Sequence, residues 1–470
     1  MNFSTYVRMN SRHHLQVEEC DVVDLVDRFD TPLYIVSEGQ LRHNFHRMHK
    51  AFASRYPGQV QVLFSNKSNF GPAVSRILSQ EGAGSECYTE GELYLSLIGG
   101  MNPNLIVLHD SNKAPEYLKM GLDAGAIVAL DTLQELDEVS HLSKMLAKPT
   151  RILIRLRLIL NELDKFPNQW SPTEKIGEAV RAYKLGAHWE EAREICNRAL
   201  HSEWTKLLGL HFHIGRWGNE PKYHCTMLEE LIDWTARFRE ETGWEAECLN
   251  VGGGFTHGRP EGAGPDNADK HVAPIEVFAE EIVNTLKQKL NSHRLATPIL
   301  QLEPGRYLTE NAGIFVARVG TVREWPGRMK WVLVDAFGQH LPRVESHRWY
   351  YHAVVANKVD CQPEETVQLA GRGCGFELLG ACRHLPRIEK GDLIGFLDTG
   401  AYTETKAANM NAAPRPATLL VSGHDADIIT TRERLSDVAG RFQIPARLLK
   451  QRAGASTRSD SRPLVENRKS

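Results

Sequence analysis

Lys67 ends the stretch Gln61-Val-Gln-Val-Leu-Phe-Ser-Asn-Lys-Ser-Asn69, an apolar strand that runs directly into a helix start. A lysine at the mouth of a buried strand is partly desolvated, which is expected to lower its pKa and favour a neutral, nucleophilic amine. Standing alone it would read as one more solvated surface charge. Five motifs come after it in order: Leu210-His-Phe-His-Ile-Gly215, Val251-Gly-Gly-Gly-Phe255, Leu302-Glu-Pro-Gly-Arg306, Gly373-Cys-Gly375 and Leu397-Asp-Thr-Gly-Ala-Tyr402. Together they offer an amine, a phosphate cradle, a carboxylate, a thiol and a ring-stacking imidazole.

Each motif has its own chemistry and its own bland alternative. Gly252, Gly253 and Gly254 follow an apolar strand, and successive glycines let backbone N–H groups turn towards a phosphate. A flexible turn is the alternative. No GxGxxG with a ribose-binding acid is present, so this is not the dinucleotide fingerprint. Glu303, Pro304, Gly305 and Arg306 combine an acid at a strand end, a sharp turn and a guanidinium able to grip a phosphate or carboxylate. A glutamate there can keep a heteroaromatic nitrogen protonated; a surface ion pair is the alternative. His211 and His213 share one strand face. A metal site needs a third donor of similar character, and none is obvious in the spacing, so no metal is expected. His213 reads as a stacking or orienting histidine, and His211 as a core histidine.

These residues need a scaffold that gathers strand ends. From about residue 31 the chain alternates strand-like and helix-like stretches. Leu33-Tyr-Ile-Val36 reads as the first strand; Ser37 and Gln40 form a capping-box signature before the helical stripe Leu41, Phe45, Met48 and Phe52. Further strands end near Ser65, Cys87, His109, Asp131, Arg157, Ile214, Val251 and Glu303. This α/β pattern suits a (β/α)8 barrel better than a doubly wound open sheet. Barrel strands deliver reactive side chains to their C-terminal ends, where Lys67, His213, the glycines and Glu303 all fall. After about residue 310 short strands separated by turns predict a second β domain of sandwich or barrel type. The expected boundaries are 1–32 for an N-terminal segment pairing with the β domain, 33–308 for the barrel, 309–450 for the β domain and 451–470 for a disordered tail.

Composition narrows the partners. The chain of 470 residues is 41% hydrophobic and 24% charged, in the range of soluble globular proteins. A net charge of -3 gives no electrostatic reason to expect nucleic acid or an anionic membrane. No apolar run approaches a membrane span, and the first residues lack a secretory signal core. The eight cysteines show no CxxC pair, so reduced thiols and a cytoplasmic location are expected.

The ordered motif set resembles the fold-type III pyridoxal-phosphate decarboxylases, the group of diaminopimelate and ornithine decarboxylases, from about residue 31 to residue 420. The resemblance implies pyridoxal 5'-phosphate as cofactor and decarboxylation of a basic or diamino acid, possibly D-configured or conjugated, as the reaction. It makes Lys67 the Schiff-base residue. Gly82-Ala-Gly-Ser-Glu86 is similar to a family motif, with Glu86 where an aspartate is usual. His213 corresponds to the histidine stacked on the cofactor ring, Gly252 to Gly254 to the phosphate loop, and Glu303 to the pyridinium-binding acid. Gly305, Arg306 and Tyr402 join the cofactor set. Cys374 corresponds to a cysteine that protonates product from the other subunit of a homodimer. Arg306, Arg343, Glu377 and Tyr402 form the implied substrate set. The chain also departs from the pattern. Gly375 and Phe376 follow Cys374 where an acid is usual, Arg216 stands where a small polar residue is common, and His347 replaces a tyrosine expected after Arg343. Two rival readings stay open on the sequence: an amino-acid racemase of the same fold, and a non-catalytic regulatory relative.

Overall fold

The computed structural model describes residues 4–165, 175–215, 220–257, 272–325, 329–347 and 349–449. The tail expected to be disordered therefore lies outside the described residues. Three short strands, β1 (Val7–Met9), β2 (Leu15–Val17) and β3 (Cys20–Asp21), form a small antiparallel sheet. Leu15 N–H donates to Ala356 O at 2.7 Å and Glu19 N–H to Gly423 O at 3.0 Å, tying this sheet to the C-terminal domain.

Strand β4 (Leu33–Ser37), read above as the start of the barrel, belongs elsewhere. It pairs antiparallel with β13 (Gly313–Glu324) and parallel with β19 (Ala417–Ser422) in the C-terminal sheet. All five of its residues are buried, so periodicity along the strand could not tell which sheet it joins. Ser37 at its end caps the helix Glu38–Ala53, accepting from Gln40 N–H at 3.0 Å. Leu41, Phe45, Met48 and Phe52 are all buried against the barrel, as the stripe predicts.

The barrel itself consists of β5 (Val60–Ser65), β6 (Gly84–Cys87), β7 (Ile106–Leu108), β8 (Ile127–Leu130), β9 (Thr150–Arg155), β10 (Thr205–His211), β11 (Cys248–Asn250) and β12 (Ile299–Leu302). These eight parallel strands close as β10-β11-β12-β5-β6-β7-β8-β9. Their ends match the eight expected from the sequence to within three residues. Helices such as Pro221–Thr242 and Ile275–His293 cover the outside and share one large apolar core with the outward strand residues.

Inside the barrel, side chains alternate. Leu63, Val107, Leu153 and Cys248 pack in a separate apolar layer. Two residues further along the same strands stand Ser65, His109, Arg155 and Asn250, so a polar layer sits on an apolar plug at the C-terminal mouth. A bulge between Leu207 and Gly209 keeps β10 in step, pairing Gly209 with Leu153 and His211 with Arg155.

The remaining strands β14 (Lys330–Val334), β15 (Ala353–Val355), β16 (Glu365–Ala370), β17 (Leu378–Leu385), β18 (Leu393–Phe396) and β20 (Asp425–Thr430) complete a nine-stranded sheet. Its two faces carry two apolar clusters, one around Phe315, Trp349 and Phe396, the other around Leu15, Ile35 and Leu419. This is the second, β-rich domain. Among the described residues, no helix is long and apolar enough to cross a membrane.

Candidate active site

A cleft of about 200 Å³ opens at the C-terminal mouth of the barrel, lined by Lys67, Glu86, Arg155, His213, Glu303 and their neighbours. Lys67 enters it from the single 3-10 turn Asn66–Ser68 that ends β5. Its amine donates to Glu86 Oε2 at 2.5 Å and to Ser65 Oγ at 2.6 Å, and Ser65 Oγ in turn donates to Glu86. Burial pushes the Lys67 pKa down, but the Glu86 carboxylate outweighs it and holds the amine above its ordinary value. This corrects the expectation of a neutral amine: strand position suggested desolvation, while the strand one place over supplies the counter-charge. Burial pushes Glu86 up, and Lys67 and then His109 pull it below the usual carboxylate range.

Glu303 is the centre of a second network. His109 Nε2 donates to Glu303 Oε1 at 2.9 Å, Asn250 Nδ2 to the same oxygen at 2.8 Å, and His211 Nε2 lies 3.4 Å from Oε2. Burial opposes ionisation, yet His109 and then His211 hold Glu303 well below the usual carboxylate range. Burial lowers His211 to about 4, so its ring is neutral at physiological pH. The ligand atoms of His109, His211 and Glu303 lie within 4.8 Å of one another, and His213, which shares the strand face with His211 in sequence, is not part of this group.

His213 faces the cleft with its Nδ1 accepting from Gly253 N–H at 3.1 Å. Burial, with Arg155 and Lys67 nearby, lowers its pKa well below the ordinary value. The neutral ring therefore carries its proton on Nε2. The glycine loop is built for close approach. A Cβ on Gly252 would meet Phe212 O at 2.5 Å, and one on Gly253 would meet Glu303 O at 2.3 Å. Gly252 and Gly254 also take positive φ, 65° and 99°.

Gly305 packs against Ser65 and Ser68, placing Arg306 beside the Lys67 turn. Tyr402 N–H donates to Ser68 O at 2.8 Å, fixing that loop to the same turn. Arg343 is buried, its guanidinium 3.8 Å from the Trp349 ring centroid and 5.4 Å from that of Tyr402; Arg306 lies 5.6 Å from Trp349. These residues form a cationic, aromatic shelf next to the cleft. Cys374 and Glu377 are not among the residues lining it. Cys374 is exposed, with its thiol 3.7 Å from Asn411 Oδ1. Glu377 turns back with φ 49° and accepts from the N–H of Gly338. Arg216 lies outside the described residues.

Sequence reasoning passed over several cleft residues. Tyr88 lies under the Lys67 amine, 5.3 Å from ring centroid to Nζ, and Arg155 donates to its hydroxyl at 3.1 Å. His109 and Asn250 hold Glu303, while Tyr183 and Lys184 line the rim. His109, Arg155 and Asn250 shared one readable signal: each is a polar side chain at the end of a barrel strand.

A cationic lysine beside a glycine cradle and a buried, hydrogen-bonded carboxylate is a donor set that fits pyridoxal phosphate. Residues 38–310 match the family described as pyridoxal-dependent decarboxylase, pyridoxal binding domain. The chain belongs to that family. A diaminopimelate decarboxylase from Methanothermobacter thermautotrophicus is 31% identical over 446 residues, covering 95% of this chain and 99% of that protein. The Bacillus subtilis diaminopimelate decarboxylase is 27% identical over 434 residues, covering 92% of this chain and 95% of its own. A crystal structure of the M. jannaschii diaminopimelate decarboxylase in complex with L-lysine superposes with a TM-score of 0.86 at 27% identity, covering 95% of this chain and all of that one. This pyridoxal-dependent decarboxylase is thus a fold-type III carboxy-lyase acting on an amino acid. Its cofactor is pyridoxal 5'-phosphate.

Proposed function

We propose that this decarboxylase acts on a diamino acid of the diaminopimelate type or a conjugated relative, in active sites shared between two copies of the chain in the cytoplasm. The observation that carries the reading is the convergence of Lys67, His213, Glu303 and Gly252–Gly254 on one barrel mouth. Lys67 would hold the cofactor covalently, and Glu303 would face its ring nitrogen. The neutral His213 ring would lie against its face. The glycine loop, with Arg306 and Tyr402, would take the phosphate. Pyridoxal phosphate, when bound, draws electrons from the substrate's α-carbon and stabilises the carbanion left as CO2 departs. An ionised Glu303 can keep a proton on that ring nitrogen, and its two hydrogen bonds on Oε1 fix its direction.

Arg343 and Arg306 would receive carboxylates of the substrate, since a buried guanidinium offers a bidentate fork. The thiol of Cys374 would supply the proton that replaces the lost carboxylate. It is exposed on its own chain, which leaves it open to the site of a second copy. All eight cysteines are free, in keeping with a reducing cytoplasm. The test is CO2 release across meso-diaminopimelate and both hands of lysine and ornithine. Release from at least one of them is expected. Silence across the panel from protein carrying its cofactor would exclude the free diamino acids and leave the conjugated relative.

A further inference from the structure

We infer that Lys113, a buried residue outside the cofactor cleft, is a positioning residue that sets His109 against Glu303. Its side chain is wholly buried, and its ammonium donates to Glu135 Oε1 at 2.8 Å and to Asp110 O at 3.0 Å. Glu135 Oε2 accepts from Asp131 N–H at 2.6 Å, just past the end of β8. One ion pair therefore fastens the turn after β7, which follows His109, to the turn after β8.

The turn after β7 needs fastening. Asp110 has φ 127°, a backbone conformation that a residue with a Cβ adopts only under strain. The residue before it is His109, whose backbone N–H donates to Cys87 O at 2.8 Å and whose ring reaches Glu303. Lys113 grips the Asp110 carbonyl and so opposes relaxation of that strain. Asp110 Oδ1 also accepts from Ser111 N–H at 2.6 Å and Asn112 N–H at 3.3 Å, so without Lys113 the turn keeps these local bonds but its carbonyl loses its anchor, and the His109 ring shifts away from Glu303 Oε1. Two apolar side chains would fill the space of this pair with less desolvation cost. What they could not do is hold a strained carbonyl in place.

This role rests on the reading of Glu303 as the group facing the cofactor's ring nitrogen, and the test separates the two. Pyridoxal phosphate is titrated into cofactor-free protein and followed by absorbance, alongside the thermal midpoint of each cofactor-free variant. Lys113→Met should weaken binding roughly tenfold, the scale of a misplaced supporting group. In a His109→Ala background, Lys113→Met should change binding no further. Glu135→Gln, a milder break of the same pair, should shift binding in the same direction if Lys113→Met does not fold. Wild-type affinity in Lys113→Met with a lowered midpoint would overturn the inference, leaving a structural role only. So would an undiminished loss in the His109→Ala background. Failure of the wild-type chain to bind pyridoxal phosphate would instead overturn the cofactor site.

Discussion

The Lys67 amine and the Glu86 carboxylate meet at 2.5 Å from neighbouring strand ends, and each keeps the other charged. Capture of a carbonyl needs the neutral amine. The cofactor-free protein should therefore take up pyridoxal phosphate slowly at neutral pH and faster as pH rises. Glu86→Gln removes the anion and leaves burial, which lowers the Lys67 pKa. The uptake profile, followed by the growth of visible cofactor absorbance, should move to lower pH. Superimposable profiles for the two proteins would mean that Glu86 does not control this amine.

Acid should destabilise the cofactor-free protein well above the carboxylate range. Burial lowers His211, His224 and His340 to about 4 each. An imidazole with a depressed folded pKa stays neutral in the native state, while the unfolded chain binds a proton below about pH 6.5. Stability is thus full above about pH 6.5 and falls as pH drops towards 4, by up to about 1.4 kcal/mol per pH unit for each ring. Below that, Glu86 and Glu303, whose pKa values are lowered, lose their contribution as they protonate. Thermal midpoints measured from about pH 8 to 4.5 should decline from about pH 6.5 downwards. A flat midpoint across that interval would contradict buried neutral imidazoles.

The glycine loop is tested by one methyl group. Gly253→Ala would set a Cβ 2.3 Å from Glu303 O, which is backbone and cannot swing away. The loop or the Glu303 strand end must shift, so pyridoxal phosphate should bind at least about tenfold more weakly. Gly82→Ala is the control for a merely strained glycine: it has φ 93°, yet nothing lies within 4 Å of the added Cβ. It should cost about 1 kcal/mol of stability and leave cofactor affinity alone. Equal effects on affinity from both would remove the special role of the loop.

The residues behind these expectations differ in how readable they are from sequence. The eight barrel strands announce themselves because apolar runs ending in polar residues recur with helical stripes between them. Lys67, His213 and Glu303 stand out because they lie at those ends. Strand β4 is misplaced by sequence reasoning because a fully buried strand has no face to distinguish one sheet from another. The charge on Lys67 is misjudged because its partner, Glu86, is 19 residues away and becomes adjacent only when β5 and β6 pair. His109 escapes notice for the same reason: its purpose is visible only when β12 brings Glu303 across the barrel mouth.

The proposed sharing of sites between two copies makes a prediction about mixed dimers. Cys374→Ala should lower kcat by roughly 10²-fold, the scale of one proton-transfer group, without loss of cofactor absorbance. Lys67→Ala should lose both. Mixing and refolding the two variants should regain about a quarter of wild-type activity, because half of randomly paired dimers carry one intact site of two. A mixture no more active than its parts would place Cys374 outside the reaction or inside its own subunit's site.

The proposed site makes recognition of the substrate's far end depend on the two residues after Cys374. The resemblance leads one to expect an acid there for the distal ammonium, and this chain has Gly375 and then Phe376, whose side chain is 84% exposed. Of the two carboxylates lining the cleft, Glu86 is ion-paired with Lys67 and Glu303 accepts hydrogen bonds from His109 and Asn250, while Arg155 and Lys184 add positive charge. Glu377 is turned towards Gly338. A substrate ammonium would therefore find no spare anion among these groups. Gly375→Asp adds one, and the backbone permits it: a Cβ there meets only Glu377, at 4.0 Å. A charge-assisted hydrogen bond contributes about 1.5–3 kcal/mol, so kcat/KM for lysine or ornithine should rise roughly ten- to a hundredfold. A substrate with a neutral or anionic far end should gain nothing or lose. If kcat/KM for basic amino acids is unchanged while the variant stays folded and cofactor-loaded, the Cys374 loop does not reach the substrate's far end.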